Sequence, residues 1–198
     1  MMPSPEHITM GFDFRDFAEE YVNSLVETLS EIPYKDLEKF WELVEDARDN
    51  DAIVHFIGNG GSAGTPSHSA GDWSKELSLK TISHVDNVSS LTAWANDTEF
   101  ENVFVGQLTT FARSGDLVIG FSGSGNSQNV LNGINYANEI GCNTVAVTGN
   151  YQGKGGGKIV EIADVSVIFP SQSMERIEDL QLVINHIIKE AIKSKHGL

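Results

Sequence analysis

From Asp13 to Glu31, apolar residues recur every three or four positions at Phe14, Phe17, Tyr21, Leu25 and Leu29, and Ala18, Val22 and Val26 widen the stripe. This spacing predicts an amphipathic helix. Pro33 stops it, and Leu37, Phe40, Trp41, Val44 and Ala47 predict a second helix ending near Asn50. The apolar faces are wide, so residues 1–50 are expected to form a helical pair at an oligomer interface, or else to cover their own core. The pattern then changes. Ala52 to Ile57, Leu117 to Phe121, Thr144 to Thr148 and Val165 to Phe169 are short and almost continuously apolar, with a weaker run from Thr81 to Val85. Such runs suit strands buried on both faces of a parallel sheet. They alternate with helical stretches, one being QNVLNGINYANEIG. The last helix, from about Met174 to Ser194, places Ile177, Leu180, Val183, Ile184, Ile187, Ile188 and Ala191 on its apolar side. The expected fold is an α/β, doubly wound, mostly parallel five-stranded sheet flanked by helices, in one structural domain.

Composition narrows the function more than the fold. The formal net charge of −15 argues against nonspecific nucleic-acid binding, which draws on neutralised phosphates. No apolar run reaches the roughly 18 residues of a spanning helix, and MMPSPEHITM lacks a signal-peptide pattern, so no membrane is expected. The single cysteine, Cys142, has no internal partner and fits a reducing, cytoplasmic compartment as a small buried residue.

Two loops carry the candidate chemistry. Gly58 to Ser62 (GNGGS) follows the first strand, and Ser122 to Ser127 (SGSGNS) follows the strand LVIGF and opens a helix. Glycines admit close backbone approach, a new helix presents unpaired amides, and the hydroxyls of Ser122, Ser124 and Ser127 can donate to oxygen anions. Phosphate is the expected ligand. Neither loop gives the G-x-G-x-x-G of a dinucleotide site, and YQGKGGGK (Tyr151 to Lys158) does not give a nucleotide P-loop.

GNGGSAGTPSHSAGDWSKE, LTAWANDTEFENVFVGQL, GDLVIGFSGSGNSQNVLNGINYANEIGCNTVAVTG and MERIEDLQLVINHII together resemble the sugar isomerase (SIS) domain family, and within it the phosphoheptose isomerases. The resemblance covers nearly the whole chain. It implies a SIS phosphosugar-binding domain over residues 51–198, a homotetramer with active sites at subunit interfaces, and interconversion of sedoheptulose 7-phosphate and D-glycero-D-manno-heptose 7-phosphate. It also implies a heptose supply for lipopolysaccharide or another surface glycan. By the same resemblance the substrate phosphate lies on Ser122, Gly123, Ser124 and Ser127, and the sugar contacts Asn59, Gly60, Gly61, Asn96 and Asp97. A divalent metal, zinc by family habit, corresponds to His68, Asp72, Glu178 and His186, with Glu178 also at the substrate. The pattern departs from the family at two of these positions: Asp72 stands for its glutamate base, and Glu178 for its glutamine.

Moving a proton between the carbons of an aldose and a ketose requires a base, an acid and a stabiliser of oxygen charge. His68 and Asp72, four apart, share a helix face. Asp72 is expected as base and His186 as acid or second base, and two imidazoles with a carboxylate suit zinc. Glu178 and His186 are eight residues apart, an axial rise of about 12 Å. Either the helix begins after Glu178, or the side chains stretch toward each other, or one serves a neighbouring subunit. Asn96 and Asp97 also read as a turn or helix cap, and His55 as structural. His7, His84 and His196 show no chemical context. The alternative is a noncatalytic tetramer of the same family that binds a phosphosugar, or docks onto another protein as a replication-initiator-associating relative does.

Overall fold

The computed structural model describes residues 12–198. His7 lies outside them. Among the described residues the α-helices are α1 (Phe14–Ser30), α2 (Tyr34–Asp49), α3 (Gly61–Leu77), α4 (Val88–Asp97), α5 (Val103–Phe111), α6 (Gln128–Glu139) and α7 (Met174–His196). The strands are β1 (Ile53–Gly58), β2 (Lys80–Ser83), β3 (Leu117–Phe121), β4 (Asn143–Gly149) and β5 (Val165–Phe169). They form one sheet in the order β2-β1-β3-β4-β5, with every pairing parallel. The expected doubly wound sheet is therefore present, and its strand order reverses between β1 and β3.

The two faces of the sheet bury two separate clusters, as side-chain alternation requires. Val54, Phe56, Leu117, Ile119, Phe121, Val145 and Val147 face α2, α3 and α7, while Ile57, Val118 and Ala146 face α5 and α6. On the first side, Ile177, Leu180, Ile184, Ile188 and Ile192 form a stripe along α7 that is buried in that core. Trp73 of α3 is fully buried, edge-on to Phe56 at 5.3 Å between centroids. Anchored this way, α3 turns the face bearing His68 and Asp72 toward α7.

Two histidines without apparent partners in the sequence acquire them through the fold. His196 closes α7 against α2: Arg48 Nη1 donates to its Nδ1 at 2.9 Å, and its Nε2 donates to Glu45 Oε2 at 2.8 Å. His84 follows β2 and is buried beside His55, whose Nδ1 lies 3.0 Å from His84 Nε2. His55 Nε2 lies 3.2 Å from Asp116 Oδ2, and Asp116 also accepts from the backbone amides of Ile53 and Arg113. A carboxylate only accepts, so His55 donates to Asp116 and accepts from His84. Cys142 is buried, and burial pushes its thiol up to about 11.

Candidate active site

Gly58 and Phe121, the last residues of β1 and β3, are register partners. The two glycine and serine loops therefore leave the sheet side by side where the strand order reverses, the place where open α/β sheets bind ligands. Each leads into a helix N-terminus, α3 and α6, whose first amides lack helical partners.

The serine loop is braced from within and from behind. Ser122 Oγ accepts from the Gly125 amide at 3.1 Å and lies 3.5 Å from Ser127 Oγ, while Ser124 Oγ accepts from the Asn126 amide at 3.3 Å. Gly125 has φ +63°, and a Cβ there would lie 1.7 Å from the Gly156 carbonyl oxygen. The glycine-rich stretch after β4 is thus the backing of the serine loop. It is tied there by the Ile159 amide donating to Gly125 O at 3.0 Å and the Lys158 amide to Asn126 Oδ1 at 3.2 Å.

Asn59 of the first loop exchanges amide bonds with Asn129 of α6, at 2.7 and 2.9 Å. Asn129 is a residue that sequence reasoning missed, and it couples the two loops. Its signal was faint, a polar residue at the buried side of a helix start.

His68, Asp72 and His186 converge from α3 and α7, with one ligand atom from each lying within 4.8 Å of the others. His68 Nε2 is 3.0 Å from His186 Nε2 and 3.3 Å from Asp72 Oδ2, and His186 Nε2 is 3.8 Å from the same oxygen. Two imidazole nitrogens and a carboxylate form a donor set suited to Zn²⁺, and their spacings bracket the ligand–ligand edge of about 3.3 Å that tetrahedral zinc with bonds near 2.0–2.1 Å requires. The residues fit the metal.

A fourth group, absent from the sequence reading, belongs to this cluster. Lys189 Nζ donates to Asp72 Oδ2 at 2.9 Å. This bond, with the Lys189 charge and the nearby imidazoles adding to it against a smaller effect of burial, holds the Asp72 carboxyl below its ordinary range. One turn on, Lys193 Nζ donates to Glu76 Oε2 at 2.6 Å. The only sequence signal for Lys189 was its place three residues after His186 on α7.

Glu178 does not join the cluster within the subunit. α7 is helical throughout from Met174, so the rise between Glu178 and His186 separates them along its axis. Of the three arrangements open from sequence, a late helix start is excluded. Glu178 lies instead against the first loop: a Cβ at Gly61 would overlap its carboxyl group. Burial raises the Glu178 pKa, Glu175 and Asp179 add to the rise, and the Ser62 amide opposes it. Asn96 and Asp97 stand exposed at the end of α4, where Asn96 Nδ2 donates to Asp97 Oδ1 at 2.8 Å. Among the described residues no hydrogen bond joins them to either loop.

The SIS domain family matches residues 17–149, from α1 to the end of β4. A phosphoheptose isomerase of Aliarcobacter butzleri is 32% identical over 182 residues, covering 89% of this chain and 92% of the relative. One from Aquifex aeolicus is 36% identical over 151 residues, covering 74% and 76%. The solved phosphoheptose isomerase of Neisseria gonorrhoeae superimposes with a TM-score of 0.86 at 28% identity, over 92% of this chain and all of that one. With an all-parallel sheet in the order β2-β1-β3-β4-β5 and both loops at its switch point, this chain belongs to the SIS domain family, among the phosphoheptose isomerases.

Proposed function

We propose that the chain isomerises sedoheptulose 7-phosphate to D-glycero-D-manno-heptose 7-phosphate through an enediol or enediolate. One observation carries this reading: His68, Asp72 and His186 meet from two helices, one of which opens at the first glycine and serine loop, in a chain of the phosphoheptose isomerase family. A noncatalytic binder would not need the cluster.

The phosphate binds to the hydroxyls of Ser122, Ser124 and Ser127, with Gly123 admitting it to the backbone and the first amides of α6 facing it. Asn59, Gly60 and Gly61 hold sugar hydroxyls, Glu178 contacts the sugar from above Gly61, and Asn96 and Asp97 contribute to the same substrate. Asp72 takes the proton from the carbon beside the carbonyl and returns it to the neighbouring carbon. Its contacts with Lys189, His68 and His186 all fall on Oδ2, which leaves Oδ1 for that transfer. In the metal-free site the Lys189 ammonium favours the ionised carboxylate, the form a base requires. His186 moves the second proton between the two oxygens. His68, Asp72 and His186 would hold a divalent metal, zinc by donor set, which when bound polarises the carbonyl and stabilises oxygen charge.

The assembly proposed is a homotetramer in which neighbouring subunits complete each site, including the surroundings of Asn96 and Asp97. Among the described residues no helix is long and apolar enough to cross a membrane. A cytoplasmic enzyme supplying heptose for a surface glycan is the setting proposed, in keeping with one unpaired, buried thiol. Purified protein incubated with sedoheptulose 7-phosphate and a panel of phosphosugars, with and without Zn²⁺, is expected to turn over the heptose phosphate fastest. Absence of turnover on every substrate contradicts the reading.

A further inference from the structure

Lys189 is 8% exposed, and its ammonium is aimed at the same oxygen that the metal would use. Asp72 Oδ2 faces Lys189 Nζ at 2.9 Å, His68 Nε2 at 3.3 Å and His186 Nε2 at 3.8 Å. A divalent cation coordinated by the carboxylate and both imidazoles would sit at this oxygen, against an ammonium already in hydrogen-bonding contact. Like charges that close repel strongly in a partly desolvated site, so cation and ammonium exclude one another there.

The structure also provides a place for the displaced ammonium. Glu76, one turn beyond Asp72 on α3, has its Oε2 3.9 Å from Lys189 Nζ, and Glu190 Oε1 is 3.5 Å away. Lys193 also holds Glu76, its Nζ 2.6 Å from the same Oε2. A rotation of the terminal bonds of Lys189 exchanges Asp72 for Glu76 and keeps the ammonium beside a carboxylate.

We propose that Lys189 is an internal competitor for the metal at Asp72, a positioning residue that occupies the carboxylate when the site is metal-free and transfers to Glu76 when a divalent cation enters. The proposal rests on the reading of His68, Asp72 and His186 as metal ligands. It makes metal occupancy at this site adjustable, because each binding event must break an existing ion pair.

The test is Zn²⁺ affinity of the full-length protein, measured by competition with a chelator of known affinity, with circular dichroism confirming the fold of each variant. Lys189→Met removes the competitor and is expected to tighten binding on the order of tenfold to a hundredfold, the value of a hydrogen bond to a charged group. Glu76→Gln weakens the alternative acceptor and is expected to loosen binding several-fold. A purely structural role for Lys189 does not move the two variants in opposite directions. Zn²⁺ binding that His68→Ala abolishes but Lys189→Met leaves unchanged or weaker overturns the competitor while the metal site stands. No Zn²⁺ binding by wild type or any variant removes the metal site and the competitor with it. Should Lys189→Met fail to fold, Glu76→Gln decides: weaker binding supports the exchange, and unchanged binding overturns it.

Discussion

On Oδ2 alone, Asp72 faces Lys189 Nζ, His68 Nε2 and His186 Nε2. Lys189 meets that oxygen at 2.9 Å and holds the Asp72 carboxyl below its ordinary range. Removing its charge while keeping its shape, as in Asp72→Asn, is expected to lower kcat by about 100-fold to 10,000-fold with KM changed only a few-fold, read from initial rates. A second residue-scale prediction concerns the sheet and not the site. Burial lowers the pKa of His55, against the pull of Asp116, and lowers that of His84 to about 3 from an ordinary 6.5, with the neighbouring His55 adding to the effect. His84 is thus neutral in the folded chain well above pH 3, while the unfolded chain takes up its proton below about pH 6.5, and the lowered pKa of His55 acts in the same direction. Stability therefore falls as the pH drops from that value toward the folded pKa of His84. Urea midpoints between pH 6.5 and 4.5 are expected to decline, and His84→Gln is expected to flatten that slope.

Elements, more than single residues, determine whether the loops hold a phosphate. The serine loop owes its shape to the glycine-rich stretch behind it, so Gly125→Ala sets a Cβ against the Gly156 carbonyl at a positive φ. The expected result is a loss of more than about 1 kcal/mol of stability and a KM for the phosphosugar raised at least about tenfold, with a smaller change in kcat. The strands were legible in the sequence because parallel strands buried on both faces leave continuous apolar runs, and β3 and β5 match those runs residue for residue. Helices α4 and α5 were not distinguishable: α4 buries no residue, and the buried side of α5 includes Gly106 and Gln107. Within the site, the i,i+4 spacing of His68 and Asp72 and the family resemblance pointed to the cluster. Lys189 and Asn129 were hidden because their partners lie 117 and 70 positions away, and only the packing of α7 on α3 and of one loop on the other reveals them. Glu178 shows the reverse: the motif match grouped it with His186, and the axial rise of a continuous α7 parts them.

At the scale of the whole molecule, α1 bears an apolar face that the described residues of its own subunit leave uncovered, with Phe14 72%, Phe17 52%, Val22 56% and Val26 57% exposed. Such a contiguous surface is the usual mark of an interface, and a second copy of the chain is the proposed occupant. Light scattering after size exclusion is expected to give a tetramer for the wild type and a smaller species for Phe17→Asp/Val22→Asp. That variant should also lose activity if neighbouring subunits complete each site, whereas its near-ultraviolet circular dichroism should show the core around Trp73 intact. Proton transfer at the cluster of His68, Asp72 and His186 is the step on which the proposed function depends. The most direct measurement is incubation of the wild type and His186→Ala with sedoheptulose 7-phosphate in deuterated water, following deuterium at the carbon beside the carbonyl together with formation of the aldose phosphate. Both product and deuterium are expected with the wild type, and both reduced by about 100-fold or more with His186→Ala. Sugar that binds and raises the melting temperature, yet yields neither aldose nor deuterium with the wild type, would contradict the proposed function.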